Sequence, residues 1–191
     1  MQPNIYFINL HNEGKIVNTW AQDRKCNITE NEERNDCVIK LANDYNDRNI
    51  STIVLIQVIE HGKFLSKKIK NSVFVHGSTE KSKRQKILND FSNGKFNVLI
   101  ASVIADEGLD IPTLSVLINA GGGKSPTRAK QRVGRVIRKG SDYAIVYDFN
   151  DVGRWSSSHS RKRKKILKEE RLFKIENISS DEIFTNKRTL F

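Results

Sequence analysis

Past residue 50 the chain repeats one pattern: a short continuous apolar run, then a segment whose apolar positions recur every three or four residues. The runs lie at 51–57, 73–76, 96–102, 114–119 and 142–149, with Ile53-Val54-Leu55-Ile56 the clearest. Continuous runs of this length, bounded by turn residues, predict strands buried on both faces. The intervening segments 60–70, 80–91 and 126–139 predict helices; Ile87, Leu88 and Phe91 share one side of the second. Strands alternating with helices over short connections predict an α/β domain, a mostly parallel sheet with helices on both faces. Before this rhythm lie a strand at 5–9, a polar stretch, and a helix starting near Thr29, where Thr29-x-x-Glu32 has capping-box spacing. After it, Ser156–Ser160 reads as a serine-rich turn leading into a basic helix over 161–173, and 175–191 is too weakly patterned to assign.

Charge sharpens this picture. The 191 residues carry 33 Lys and Arg against 22 Asp and Glu, a net charge of +11. Residues 1–50 hold six basic and eight acidic side chains, net −2, so residues 51–191 carry +13. Segment 124–139 has seven basic residues and no acid; segment 154–174 has nine against Glu169 and Glu170. Such asymmetry fits a polyanionic partner, nucleic acid first and nucleotide phosphate second, and fits equally a solvated basic surface. The helix at 161–173 divides in the same way between a nucleic-acid contact and a surface helix packed on its own domain. Cys26 and Cys37 cannot make a disulfide framework, no segment approaches the ~20 apolar residues of a membrane span, and the N-terminus shows no signal pattern. These features predict a reduced, intracellular setting.

Gly121-Gly122-Gly123-Lys124-Ser125 invites comparison with a phosphate-binding P-loop, but the spacing G-x-x-x-x-G-K-[ST] requires glycine where Ile118 stands. The turn reads as a flexible connection, with an anion site as the second option. More informative is Gln131-Arg132-Val133-Gly134-Arg135-Val136-Ile137-Arg138. At 100° per residue, with Gln131 at 0°, Arg135 falls near 40° and Arg138 near −20°, while Ala129, Val133, Val136 and Ile137 fall at roughly 140–240°. One amide and two guanidiniums in a narrow arc suit the charge of a transferring phosphoryl group. A merely amphipathic basic helix shows the same spacing.

This segment resembles motif VI of superfamily 2 helicases. Val98 to Pro112, with Ser102, Glu107, Gly108 and Asp110, resembles motif V. Val75-His76-Gly77, Arg84 and Phe91-Ser92-Asn93-Gly94 resemble the segment between motifs IV and V, and Val54-Leu55-Ile56 with Glu60-His61-Gly62 resembles motif IV and its helix. Gln131, where DEAD-box proteins usually carry His, and Asn31 to Asn35 with the His159-Ser160-Arg161 segment make the chain similar to DExH-type DNA helicases of the phage UvsW and XPB-like kinds. Lys81 stands where DEAD-box proteins often have Gln, and Ser102 where Thr is commoner. Motifs I, Ia, II and III have no counterpart in the sequence.

The resemblance implies a RecA-like three-layer domain over 29–153, preceded by a linker or extension over 1–28 and followed by a basic helix and tail over 154–191. It implies ATP as cofactor, its Mg²⁺ held by an N-terminal RecA-like domain acting in cis or in trans, and single-stranded or branched DNA as partner. Arg135 and Arg138 would be arginine fingers and Gln131 would orient phosphate or water. Gly108, Asp110 and Glu107 would lie at the nucleotide. Ser102, His76, Gly77, Arg84, Glu60, His61 and Gly62 would track the nucleic-acid backbone. The sequence leaves open a motor half, inactive alone, and a stand-alone basic module that binds without hydrolysis.

Overall fold

The computed structural model describes residues 3–102, 114–125 and 144–185. Their core is a seven-stranded sheet: β1 (Asn4–Asn9), β2 (Thr52–Ile56), β3 (Ser72–Val75), β4 (Val98–Ser102), β5 (Val116–Asn119), β6 (Ile145–Asn150) and β7 (Lys174–Ser179). The spatial order is β3-β4-β2-β5-β6-β1-β7, and every neighbouring pair is parallel. β2, β4 and β5 are buried along their whole length, as their unbroken apolar runs demand.

Alternation along each strand sends side chains into two cores. Val54, Ile56, Val98, Ile100, Ile118 and Tyr147 pack under α2 (Glu32–Asp47) and α3 (Ile59–Lys68), with a short α6 (Ser180–Phe184) at the β7 end. Ile53, Leu55, Leu99, Ala101, Leu117 and Val146 pack under α4 (Lys81–Ser92) and α5 (Arg154–Lys168). A short α1 (Trp20–Arg24) runs into a π-helical turn, Lys25–Thr29, which delivers the chain to Asn31, the N-cap of α2. That cap accepts from Arg34 N, so α2 starts later than the Thr29 box predicts.

The structure corrects three sequence expectations. The segment 1–28 is not an appended linker, because β1 sits between β6 and β7. The segment 154–191 is not only a helix and tail, because β7 extends the sheet and Ser179 with Glu182 makes a full capping box on α6. Finally, Ser156–Ser160 is not a turn but the opening of α5, which begins at Arg154 and ends at Lys168. Glu107, Gly108, Asp110, Gln131, Arg135 and Arg138 lie outside the described residues.

Candidate nucleic-acid interface

In an all-parallel sheet the carboxyl ends of the strands share one rim, where open α/β sheets take their ligands. Here that rim is formed by Gln57 after β2, His76-Gly77 after β3, Ser102 closing β4, Ala120–Lys124 after β5 and Asp151-Val152-Gly153 after β6. Register brings the predicted residues together: Ile56 pairs with Ser102 and Val75 with Ala101, so His76 stands level with Ser102 on adjacent strands.

The turn after β3 is closed from within. Thr79 N donates to His76 O at 2.9 Å, and His76 N donates to Thr79 Oγ1 at 3.1 Å. Arg84, in the first turn of α4, donates through Nη2 to the carbonyls of Gly77 and Thr79, both at 3.0 Å. These bonds fix the loop and leave chemistry unspent. His76 Nδ1, Arg84 Nε and Ser102 Oγ are buried atoms without a hydrogen-bond partner among the described residues. Buried polar groups are rarely left so, since each costs on the order of 1–3 kcal/mol. Three of the four such side-chain atoms among the described residues, His159 Nδ1 being the fourth, belong to the β3–β4 part of the rim and the turn beside it.

The three residues expected from motif IV's helix separate. Glu60 is exposed at the first turn of α3. His61 is only 1% exposed, and its Nε2–H donates to Asn35 Oδ1 at 2.8 Å, bracing α3 on α2. Burial and the nearby Arg34 charge push its pKa down to about 3, so it stays neutral. Gly62 is a packing residue: a Cβ there would lie 2.4 Å from the Phe74 ring. The expectation that His61 and Gly62 touch a strand is therefore corrected; their side-chain positions belong to the core.

Beneath the rim lies a buried ionic network that sequence reasoning missed. Arg34 Nε donates to Asp151 Oδ1 at 3.0 Å, its guanidinium also bonds the carbonyls of Asn119 and Ala120, and it stacks 4.1 Å from the Phe149 ring centroid. Arg163 of α5 donates to Asp148 through Nε at 2.9 Å and Nη2 at 2.7 Å, to Asp151 Oδ2 at 2.9 Å, and to the Gly123 carbonyl at 2.6 Å. Asp151 thus joins α2 on one face to α5 on the other around the end of the sheet. Burial alone would raise the Asp148 pKa, but the Arg163 charge and hydrogen bonds from Arg163, Asn119 and Phe149 N hold it below the usual range. The two arginines hold the glycine-rich turn at both ends, Arg34 at the Asn119 and Ala120 carbonyls and Arg163 at that of Gly123. Gly122 and Gly123 take positive φ there, and a Cβ on Gly123 would meet Gln57 at 2.1 Å. The turn is thus a clamped connection rather than the flexible one its composition predicts.

A second missed residue is Asp23. It is fully buried and accepts from Trp155 N at 2.6 Å, Ser156 N at 3.0 Å and Ser156 Oγ at 3.1 Å. Gly153, the N-cap of α5, has no side chain to satisfy those amides, so a carboxylate from α1 serves instead.

Residues 26–140 match the family model described as helicase conserved C-terminal domain. A DNA 3'-5' translocase, XPB2 of Sulfurisphaera tokodaii, is 34% identical over 86 residues, 45% of this chain and 20% of that protein. The pre-mRNA-splicing ATP-dependent RNA helicase PRP28 of Pyricularia oryzae is 31% identical over 133 residues, 68% of this chain and 19% of that protein. The chain thus spans about a fifth of the length of these relatives. The crystal structure of T4 UvsW superposes with a TM-score of 0.71 at 22% identity, over 94% of this chain and 42% of that one, a likeness of fold. The chain belongs to the helicase conserved C-terminal domain family of superfamily 2.

Proposed function

We propose that this chain is the second RecA-like half of an ATP-dependent DNA helicase or translocase, with a role in repair or recombination. The observation that carries the nucleic-acid side is the trio of unsatisfied buried atoms on Ser102 and His76, level on adjacent strands, and on Arg84, whose guanidinium closes the turn after β3. A phosphodiester oxygen supplies the missing acceptor for a hydroxyl, an imidazole N–H and a guanidinium N–H alike. Such contacts fix position and carry no base sequence, so binding is sequence-independent. Glu60 and Gly77 border this track. DNA rather than RNA is favoured by the DExH-type motif pattern and by the translocase relative.

The nucleotide side rests on the donor chemistry of the motif V and VI segments. Gln131, Arg135 and Arg138 supply one amide and two guanidiniums, and Glu107, Gly108 and Asp110 supply small and acidic groups suited to a ribose and a closely approached phosphate. ATP, with Mg²⁺ held by an N-terminal RecA-like domain, would supply the free energy of phosphoanhydride cleavage. Arg135 and Arg138 would meet the charge developing at the γ-phosphoryl group, and Gln131 would orient the attacking water.

The test is a contrast among arginines with the N-terminal domain supplied in cis or in trans. Arg138→Ala and Arg135→Ala should each lower kcat by about 10³-fold or more and leave DNA affinity nearly intact. Arg132→Ala, about 100° around the helix, should cost far less turnover. Equal, salt-dependent losses of DNA binding by all three, with turnover per complex unchanged, would reduce the protein to a basic binding module.

A further inference from the structure

Helix α5 is divided lengthwise. Ser156, Ser160, Arg163 and Leu167 are buried, and at 100° per residue, with Arg154 at 0°, they fall within roughly 180–240°. Arg154, Arg161, Lys165 and Lys168 are exposed and fall within roughly −40° to +20°, the opposite side. Lys162, also exposed, flanks them. At 1.5 Å per residue the row from Arg154 to Lys168 is about 21 Å long.

Among the described residues no acid neutralises this row. Among the described residues none of Arg154, Arg161, Lys162, Lys165 and Lys168 takes part in an ion pair, whereas Arg163, on the buried side, is held by two aspartates. Arg154 rests on the Trp155 ring and Arg161 Nε donates to its own helix at Ser157 O. The field they create is felt by neighbours. His159 is pushed below its ordinary pKa by burial and then by the charges of Arg163, Lys124 and Lys162. Lys164 is pushed down by burial and then by Lys168. Four unpaired cations in a straight row repel one another, an arrangement relieved by a polyanion of matching length.

We infer that the exposed row Arg154, Arg161, Lys165 and Lys168 on α5 is a second nucleic-acid site, binding the sugar-phosphate backbone of a duplex. The partner follows from what the row has and lacks. It is rigid and about as long as six base pairs, at 3.4 Å of rise each. Past Trp155, whose ring Arg154 already covers, the row holds cations and no aromatic platform on which unstacked bases could lie, the feature that sites for single strands use. Because α5 starts beside the rim, at Asp151–Gly153, and runs away from it across the outer layer, a duplex on this row would lead toward the single-strand track. This deepens the DNA-motor reading and rests on it for the choice of partner.

The experiment compares two triple variants of equal net charge. One is Arg161→Gln, Lys165→Gln, Lys168→Gln; the control is Lys67→Gln, Lys68→Gln, Lys70→Gln, exposed on the opposite layer. Binding of a 24-base-pair blunt DNA duplex and of an oligothymidylate of equal length is measured by anisotropy over a salt series. The α5 variant should bind duplex at least about 10-fold more weakly than the control at low salt, with its log–log salt slope shallower by roughly 3. Its oligothymidylate affinity should stay within about 2-fold of the control. Equal losses on both ligands, no loss on duplex, or an equal α5-dependent gain for polyglutamate or anionic vesicles would overturn the proposal. Duplex binding through α5 with no single-strand binding at all would keep this site and sink the strand-tracking reading of Ser102, His76 and Arg84.

Discussion

A histidine held neutral in a core makes stability depend on pH, and His61 is such a residue. Its folded pKa of about 3 lies below the ~6.5 of an exposed imidazole, so between those values the unfolded chain binds a proton that the folded chain refuses. Stability is therefore lost as pH falls below about 6.5. By pH 5 the linkage amounts to about 2 kcal/mol. Urea unfolding at pH 7 and pH 5 should show His61→Gln losing less stability across that interval than the parent chain. Arg163 gives a larger effect. Arg163→Ala leaves Asp148 buried without its counter-charge and Asp151 with Arg34 alone, and denaturation should report a loss of about 3–5 kcal/mol. Neither role was legible by residue type. His61 looked like a loop contact because its sequence neighbours resemble motif IV, while its partner Asn35 is remote in sequence. Arg163 looked like one more cation in a basic run. The signal that could have exposed it is Ser156, Ser160 and Leu167 on its side of the helix, which together mark a buried stripe.

Among the elements, those that carry their own signals were read correctly to within a few residues: β2, β4, β5, α3 and α4, each an unbroken apolar run or a plain amphipathic period. The misread ones depend on partners elsewhere. The start of α5 looks like a turn because serines disfavour helix interiors and because its capping carboxylate, Asp23, comes from a helix more than a hundred residues upstream. Asp23→Ala should cost about 1–2 kcal/mol, measured by urea unfolding, and the loss of helicity should centre on the first turn of α5. β7 escaped notice because it is an edge strand: only Ile178 among its six residues is buried, so no apolar run betrays it. The candidate rim divides likewise. His76, Arg84 and Ser102 were singled out through the resemblance to helicase motifs, whereas the ionic network holding the rim depends on Arg34, Asp148, Asp151 and Arg163 meeting in space.

For the molecule as a whole, the +13 carried by residues 51–191 is spread over loops and helices that the fold sorts by layer. α4 and α5 bring most of their cations to one layer; α2 on the other holds five acids against Arg34 and Lys40. Weak, sequence-independent DNA binding should follow, with a log–log salt slope of about −3 on single strands if ~4 phosphates are neutralised. The chain contains neither a Walker A sequence nor an acid pair in DExH context. ATP hydrolysis by the purified 191-residue protein should therefore be unmeasurable with or without DNA, and stimulated turnover would contradict this.

The insertion of β1 between β6 and β7 sets a timetable. β2, β3 and β4 can find one another across short intervals, but Asn9 meets Asn150 across 141 residues. Closing so long a loop is entropically costly, and non-local parallel pairing is slow. During synthesis β1 would wait for β6 and β7 before gaining either neighbour. Pulse-labelled hydrogen exchange during refolding should accordingly protect Thr52–Ile56 and Val98–Ser102 well before Asn4–Asn9. Until then the β1 segment is an unpaired apolar strand, and misassociation is most easily started there.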